Sequence, residues 1–249
     1  MVSGKRCRAG DLRTPTRGPA VDVTEGTVNP WLSRPTPNAV TEPAGDLVTD
    51  PGPDARLALL RPTGPSAPQP GVPAPEHVDR LPTRTRLQPA GLWCLGAHGG
   101  AGETTLAALS PGWAAADHAW PQVPTAAGPA PVVLVARSSA HGLLAAQRAT
   151  TQWAAGLAPD VDLLGLVVVA DAPGRLPRPL RELAHVVGGG VARTWHLPWV
   201  EPWRLGEPVD PATAPRPVRR LLDDLTALLH HPPAQPAVPS SVPSSRTAV

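Results

Sequence analysis

Apolar runs alternate with amphipathic stretches between residues 91 and 229, and this order of elements constrains the fold more than any other feature. The predicted strands are 91–95, 132–136, 163–169 and 191–197, and the predicted helices are 104–109, 139–157, 177–187 and 217–229. Strands that are apolar on both faces and are separated by helices form parallel sheets with helices on both sides. The sequence therefore predicts an α/β fold with a small, doubly wound parallel sheet of about four strands.

The two ends of the chain have a different composition, because most of the 36 prolines lie outside the alternating region. Segments this poor in periodic apolar residues cannot bury enough surface to offset their chain entropy. We therefore expect residues 1–88 and 232–249 to be disordered tails around a domain at 89–231. Two islands interrupt the first tail, around Trp31 and at Leu57–Leu60, and each is either a short docking motif or an inert spacer.

Charge and cysteine content exclude several classes of function. The net charge is only +2 and no long basic run occurs, so nucleic-acid binding is not indicated. Two cysteines, one of them in a polar tail, do not suggest a disulfide framework or a thiolate metal site. The longest apolar run, Leu163–Ala170, is too short to span a bilayer, and the N-terminus lacks a signal-peptide pattern. These features predict a cytoplasmic protein.

The first predicted strand leads into a glycine-rich turn, Gly-Ala-His-Gly-Gly-Ala-Gly-Glu-Thr-Thr, at residues 96–105. Glycines at these spacings let backbone N–H groups surround a phosphate, and a lysine before the threonines then neutralises its charge. Glu103 stands at that position, and Lys5 is the only lysine of the chain. The turn therefore predicts a phosphate-binding backbone that does not support hydrolysis of ATP or GTP.

These residues resemble the MinD/ParA family of deviant P-loop ATPases, in which Lys-Gly-Gly-x-Gly-Lys-Thr-Thr follows the first strand. Here the matching stretch is His98–Thr105, with His98 and Glu103 in place of the two lysines. The segments 132–137, 165–171 and 197–204 resemble later strands and the adenine-side loop of that family. The resemblance implies a P-loop NTPase type of sheet. The chain is also similar to an uncharacterised family of truncated proteins of this kind from high-GC bacteria.

The chain departs from that family between the first helix and the second strand. The segment 106–131 is much shorter than its counterpart, and Asp117-His118 is its only polar cluster. No strand ending in a magnesium-binding aspartate can be placed there. Hydrolysis needs a metal site and a positioned water as well as a phosphate-binding loop. We therefore expect Glu103→Lys alone not to restore activity.

Ligands of doubly wound sheets bind at the carboxyl ends of the strands. We expect a vestigial or weak nucleotide or anion site there, formed by the following residues: Gly99, Gly100, Gly102, Thr104, Thr105, Arg137 and Asp171. Arg137 and Arg175 either supply the missing positive charge or are solvated strand ends. Asp171 either accepts from a guanine edge or caps the next turn. Glu103 is expected to cap its own helix or to pair with an arginine.

Three functions are compatible with this pattern. The leading hypothesis is a catalytically inactive MinD/ParA-like module with an interaction or regulatory role and no cofactor, with ATP and GTP disfavoured. The alternative is a nucleotide or small-anion binder that uses arginine in place of lysine. The least favoured is an unrelated hydrolase built on Glu103, Asp171 and His98. A metal site at His98 and Asp117-His118 is not expected.

Three surfaces are candidates for an unknown protein partner. They are the tails, the tryptophan-rich loop 195–203, and the strand 92–95, which we expect at or next to the edge of the sheet because the switch half of the family is missing. An apolar edge strand aggregates unless it is covered. We expect the segment Trp113–Trp120 to provide that cover, with a partner or a second copy as the alternative.

Overall fold

The computed structural model describes residue 56 and residues 58–124, 128–158 and 160–230, and the structural statements below refer to this part of the chain. Its strands form one sheet of five strands and one of two, and every pairing is parallel. The α/β class and the parallel sheet expected from the alternating pattern are therefore confirmed.

The elements alternate between strand and helix from residue 130 to residue 204, whereas strands follow one another directly at 83–96 and at 113–137. In chain order they are a 3₁₀ turn His77–Asp79, β1 Thr83–Thr85, β2 Leu92–Gly96, α1 Glu103–Ala107, β3 Trp113–Ala115, β4 Trp120–Gln122, β5 Ala130–Arg137, α2 Ala140–Ala154, β6 Val161–Val169, α3 Arg178–Gly188, β7 Thr194–Leu197, α4 Glu201–Arg204 and α5 Arg216–His230. The larger sheet has the order β3-β2-β5-β6-β7, and β1 pairs with β4.

Helices cover both faces of the larger sheet, because alternate residues of its strands enter two separate cores. On one face, Leu95 and Leu134 lie in the core that includes Trp153 of α2 and Val187 of α3. The opposite core contains Cys94, with Leu106 of α1 and Leu221 of α5 in the same cluster. The sheet is therefore doubly wound, and its carboxyl edge carries the loops after β2, β5, β6 and β7.

The larger sheet has five strands, whereas about four were predicted. The additional strand, β3, pairs in parallel with β2 through Leu92–Cys94, so β2 is second from the edge. The sequence did not predict β3, because this strand is only three residues long and is half-buried throughout. The expected cover of strand 92–95 by the segment Trp113–Trp120 is confirmed in this form, since β3 occupies the exposed side of β2.

The prediction that the chain is disordered up to residue 88 is wrong for residues 60–88. Several contacts tie their backbone to the domain: β1 pairs with β4, Leu81 exchanges two hydrogen bonds with the side chain of Gln152, and Leu60 accepts one from Arg193 Nε. Gln152 is buried on α2, so it satisfies its amide by bonding this segment. Composition concealed the segment because long-range polar contacts, rather than an apolar stripe, hold it.

The two islands of the first tail have different outcomes. The Trp31 island and the C-terminal tail from residue 231 lie outside the described residues. At the second island, Arg56, Ala58 and Leu59 are helical, and Arg56 Nη1 lies 2.8 Å from Asp223 Oδ2 of α5. None of the helices in the described part of the chain is long and apolar enough to cross a membrane.

Candidate functional site at the carboxyl edge of the sheet

The glycine-rich turn joins the end of β2 to the start of α1, as the sequence predicts. Gly100 and Gly102 have φ angles of 77° and 104°, a region that side-chain-bearing residues rarely adopt. Gly102 is the residue that precedes the first turn of α1. The glycines at these two positions are therefore required by the backbone itself, whatever the turn binds.

Glu103 neither caps its helix nor pairs with an arginine, so both expectations for it were wrong. Its side chain is almost fully buried, and Oε2 accepts a hydrogen bond from the backbone N–H of Gly96 at 2.6 Å. The N–H of His118 lies 3.5 Å from the same oxygen. The carboxylate thus lies beside the end of β2 and does not line the cavity described below.

The partner of Glu103 is a histidine in the short segment between α1 and β5. His118 Nδ1 lies 3.4 Å from Glu103 Oε1 and 3.1 Å from the carbonyl oxygen of Gly96. Asp117 and His118 have φ angles of 52° and 54°, and Arg86 holds the Asp117 carboxylate at 3.0 Å. The tight turn after β3 therefore places His118 next to the buried carboxylate of Glu103.

Arg137 follows β5 and lies across the glycine-rich turn. Its Nε donates to the carbonyl oxygen of Gly100 and its Nη1 to that of Ala170, each at 3.1 Å. One guanidinium thereby joins the turn to the end of β6. The guanidinium of Arg137 therefore lies at the glycine-rich turn and is not simply a solvated group at the end of a strand. Arg175 is exposed and does not line the cavity, so it does not share this role.

His98 supports the same turn from the other side. Its Nε2 accepts the backbone N–H of Arg137 at 3.1 Å, so the ring proton is on Nδ1, which donates to the carbonyl oxygen of Gly99 at 2.9 Å. His141 packs edge-on against it with 5.4 Å between ring centroids. Burial lowers the pKa of His98, an effect that the bond to Gly99 partly offsets.

This arrangement predicts that acid destabilises the turn through His98. Protonation turns Nε2 into a donor that faces the Arg137 N–H. Because the folded pKa lies below that of the unfolded chain, the stabilisation is complete above the unfolded value of 6.5 and is lost as pH falls through the folded pKa. The free energy of unfolding, measured in urea from pH 7.5 to 5, should fall less steeply in His98→Asn than in the native protein. Equal slopes would contradict this role.

A cavity of about 400 Å³ opens beside the turn at the ends of β2, β5, β6 and β7. Its lining residues are Gly100, Gly102, Thr105, Leu106, Arg137, Val169, Ala170, Asp171, Leu197, Pro198, Trp199, Val200, Trp203 and Arg204. The wall is thus apolar and aromatic towards β7, and glycine-rich and cationic towards the turn. The volume is in the range of small-molecule sites.

The structure brings together most of the predicted site residues. Gly100, Gly102, Thr105, Arg137 and Asp171 line the cavity, whereas Gly99 and Thr104 are exposed outside it. Trp199 and Trp203 line the cavity as well, so they form part of its wall. The indole of Trp199 donates to the carboxylate of Glu201.

The expectation of one tryptophan-rich loop at 195–203 was wrong. Trp195 belongs to β7, and its Nε1 donates to Asp224 Oδ2 of α5 at 3.1 Å. Trp203 lies in α4, which is one turn long. Three tryptophans spaced by four residues thus have three different environments, because a strand, a loop and a helical turn follow one another within nine residues.

Sequence reasoning missed two functional candidates. Arg204 lines the cavity through the one-turn helix α4, and His118 binds Glu103. A basic residue at the end of the Leu-Pro-Trp segment was a usable signal for the first. Asp117-His118 stood out in the sequence as a polar cluster, but nothing there paired His118 with Glu103, because fifteen residues separate them.

The least favoured function, a hydrolase built on Glu103, Asp171 and His98, finds no support in these contacts. Glu103 and His98 have separate hydrogen-bond partners, and neither lines the cavity with Asp171. Among the described residues there is also no group of three or more histidine, cysteine, aspartate or glutamate side chains that could hold a metal ion. Burial, and then the charge of Glu103, raise the pKa of the Cys94 thiol, which keeps it unreactive.

A family model matches residues 90–222, which is more than half of the chain. The chain belongs to DUF6668, a family of unknown function. No curated protein and no solved structure matches it significantly. The DUF6668 match begins just before β2 and ends within α5, so it contains the glycine-rich turn, the Asp117-His118 turn and the whole cavity. The segment before residue 90, including β1, lies outside the match.

Proposed function

We propose that this DUF6668 protein is a non-hydrolysing, P-loop-like module that binds a nucleotide or a similar anionic ligand in the cavity. This is the alternative that the sequence left open, in which arginine replaces lysine. The observation that carries it is the opposite orientation of two charges: Arg137 lies over the glycine-rich turn, and the Glu103 carboxylate is withdrawn to Gly96 and His118.

The withdrawal of Glu103 removes the main electrostatic objection to anion binding. A carboxylate about 4 Å from a phosphate would cost about 4 kcal/mol per unit charge at an effective dielectric constant near 20. That cost applies only if the carboxylate faces the ligand, and Glu103 instead accepts from Gly96. Its Oε1 also lies 3.4 Å from Nδ1 of His118.

Arg137 retains donors for a ligand. A guanidinium has five N–H groups, and two nitrogens of Arg137 each use one on a backbone carbonyl. Those two bonds fix the plane of the guanidinium, so less rotamer entropy is lost when a phosphate binds the remaining donors. Arg204 on the opposite wall provides a second cation. Together they supply the charge that the missing lysine would have carried.

The rest of the cavity favours a ligand with a flat ring. Trp199, Trp203 and Leu106 provide apolar surface, and Asp171 provides a carboxylate next to it. Aromatic side chains of this kind stack on rings, and a carboxylate accepts from a ring N–H or amino group. A purine nucleotide has both the ring and the phosphate. Binding of a ligand in this cavity is also compatible with an interaction or regulatory role of the module.

Calorimetry on the full chain tests the proposal, with AMP, ADP, ATP, GMP, GTP and inorganic phosphate as ligands. Loss of a charged hydrogen bond costs about 1.5–3 kcal/mol, so Arg137→Gln should weaken binding about 10- to 100-fold. Arg178→Gln is the matched control, because that arginine pairs with Glu182 on exposed α3. If none of these ligands binds the native protein, the binding proposal is wrong and only an interaction role is left.

Hydrolysis is not expected for any of these ligands. No lysine is present in the domain, and the described residues contain no cluster that could hold a metal ion. Catalysis of phosphoryl transfer depends on such charges and on a positioned water. Phosphate release from ATP or GTP with Mg²⁺ should equal the buffer rate. A Mg²⁺-dependent turnover that disappears in Gly102→Pro would contradict this expectation.

A further inference from the structure

The outer edge of β7 presents backbone groups that no described residue bonds. β7 is the last strand of the larger sheet, and the carbonyl oxygen of Leu197 faces β6, where it accepts from the N–H of Ala170. Because the direction of bonding alternates along a strand, the N–H and C=O groups of Thr194 and His196 face away from β6. Among the residues that the structure describes, no other group forms a hydrogen bond with them.

The chain itself covers the backbone just before this point. The carbonyl oxygen of Ala192, two residues before Thr194, accepts the N–H of Thr63 at 2.8 Å. Gly64 packs directly on the same stretch, because a Cβ built on it would lie 2.2 Å from the carbonyl oxygen of Val191. This cover therefore ends where β7 begins, and it leaves the outer groups of β7 without a partner in the described part of the chain.

Two arginines of α5 lie beside this edge. A groove of about 420 Å³ is lined by Thr194, Trp195 and His196 of β7 and by Arg216, Pro217 and Arg220 of α5. Arg216 and Arg220 are exposed, and neither forms an ion pair with a described carboxylate. Asp224, one helical turn after Arg220, accepts instead from Trp195 Nε1 at 3.1 Å. The lining of the groove thus carries two positive charges and no negative one.

The groups at the edge of β7 select a polypeptide as the occupant. A strand edge offers both N–H donors and C=O acceptors, and an added strand satisfies both kinds at once. A phosphate group offers acceptors alone. It could bind the two arginines, but it would leave the carbonyl oxygens of Thr194 and His196 unpaired. Charge complementarity with the arginines then requires that the added strand be acidic.

The spacing of the arginines sets the spacing of the acids. Arg216 and Arg220 are four residues apart on one helix, so their Cβ atoms lie about 6 Å apart on the same face. In an extended segment, residues i and i+2 share a face and lie about 6.6 Å apart, whereas residues i and i+4 lie about 13 Å apart. Carboxylates at i and i+2 can therefore reach both arginines together.

A second copy of the chain fits this edge less well than an acidic partner. Pairing of β7 with β7 of another copy around a two-fold axis would form one continuous antiparallel sheet, with both α5 helices on the same face. Arg216 and Arg220 of the two copies would then lie on the same side of the new strand pair. Like charges that meet across an interface repel each other, whereas an acidic segment is attracted.

We propose that the outer edge of β7 is the docking site for an extended acidic segment of a partner protein. The segment adds as a further strand through Thr194 and His196, and its carboxylates at i and i+2 pair with Arg216 and Arg220. This surface differs from the three that the sequence indicated as candidates for a partner. The proposal does not depend on a ligand in the cavity, which shares no lining residue with the groove.

Calorimetry of the full chain with synthetic peptides tests the spacing of the acids. The probe is the peptide Thr-Val-Asp-Val-Asp-Val-Thr, acetylated and amidated at its ends, in which both acids share one face of a strand. The control peptide Thr-Val-Asp-Val-Val-Asp-Thr has the same composition, but its acids lie on opposite faces. It can form only one of the two ion pairs, so it should bind about two- to fivefold more weakly than the probe.

Substitution of the arginines tests which residues bind the acids. Arg216→Gln with Arg220→Gln should weaken binding of the probe about 3- to 30-fold, because both ion pairs are lost. Arg175→Gln with Arg181→Gln is the matched control, since it removes the same charge from exposed positions outside the groove. Arg216→Glu with Arg220→Glu should reverse the preference and bind Thr-Val-Lys-Val-Lys-Val-Thr more tightly than the acidic probe.

Amide hydrogen exchange tests the strand pairing separately from the charges. Saturation with the probe should slow exchange of the Thr194 and His196 amides at least about tenfold, the effect of a hydrogen bond worth about 1.4 kcal/mol. Exchange of Cys94 in β2 should be unchanged, which reports an intact fold. Binding of the probe without slower exchange at the two amides would mean that the peptide does not add as a strand.

Three further results would overturn the proposal. One is that the probe does not bind the native protein at millimolar concentration, and another is that the probe and its control peptide bind equally well. The third is slow exchange of both amides without peptide. If that protection increases with protein concentration, a second copy occupies the edge, and if it does not, the chain covers the edge itself. Each of these outcomes leaves calorimetry with nucleotides unaffected, because the groove and the cavity have separate walls.

Discussion

Glu103→Lys should destabilise the domain by about 3–5 kcal/mol and should not create an ATPase. The lysine cannot accept the N–H of Gly96, so a buried donor is left without its partner. If the lysine ammonium takes the position of the Glu103 carboxylate, it lies next to His118, which then no longer has an acid beside it. If it turns towards the glycine-rich turn, Gly96 is still unpaired. The loss should be visible in urea unfolding at pH 7.

Glu103→Gln is the control for this prediction. Its amide oxygen can still accept from Gly96, so only the charge is lost and the destabilisation should be about 1–2 kcal/mol. The two variants together separate the hydrogen bond from the charge. A Glu103→Lys protein as stable as the native one would mean that the carboxylate has no structural role. A Glu103→Lys protein that hydrolyses ATP would mean that the segment 106–131 supplies a catalytic group.

Gly165→Ala should cost about 2–4 kcal/mol, because it forces backbone apart in the middle of the sheet. A Cβ at this position would lie 2.4 Å from the carbonyl oxygen of Arg193 and 2.7 Å from a ring carbon of Trp195. The same carbonyl accepts the N–H of Leu166, so the clash separates β7 from β6 where they pair. Thermal or urea unfolding measures the loss.

Gly128→Ala provides the comparison for this substitution. A Cβ on Gly128 has no atom within 4 Å, so the variant should unfold within about 0.5 kcal/mol of the native protein. Displacement of β7 in Gly165→Ala should also reduce ligand binding, because Leu197 and Trp199 at its end line the cavity. Equal stability of the two variants would mean that β7 moves freely, which its contacts with α5 do not suggest.

The sequence by itself determined the order of the four predicted strands and the four predicted helices, the parallel sheet and the position of the glycine-rich turn. These features depend on local patterns: apolar runs of strand length, helical periodicity, and glycines where the backbone needs positive φ angles. The cap of α2 is equally local, because Ser139 Oγ accepts the N–H of Gly142 within the same turn. Predictions of this kind succeed when cause and effect lie a few residues apart.

The tertiary structure alone decided what the charged residues do. Glu103 has an ordinary charge in sequence, and its role depends on His118 and on the end of β2, which the tight turn after β3 brings to it. Likewise, composition made residues 60–88 resemble a tail, yet Gln152 and β4 hold them. A hydrogen bond between distant residues leaves no periodic trace in the sequence, because either partner alone is compatible with solvent. The charge at the turn is therefore fixed by the sequence, and the direction in which it points is fixed by the fold.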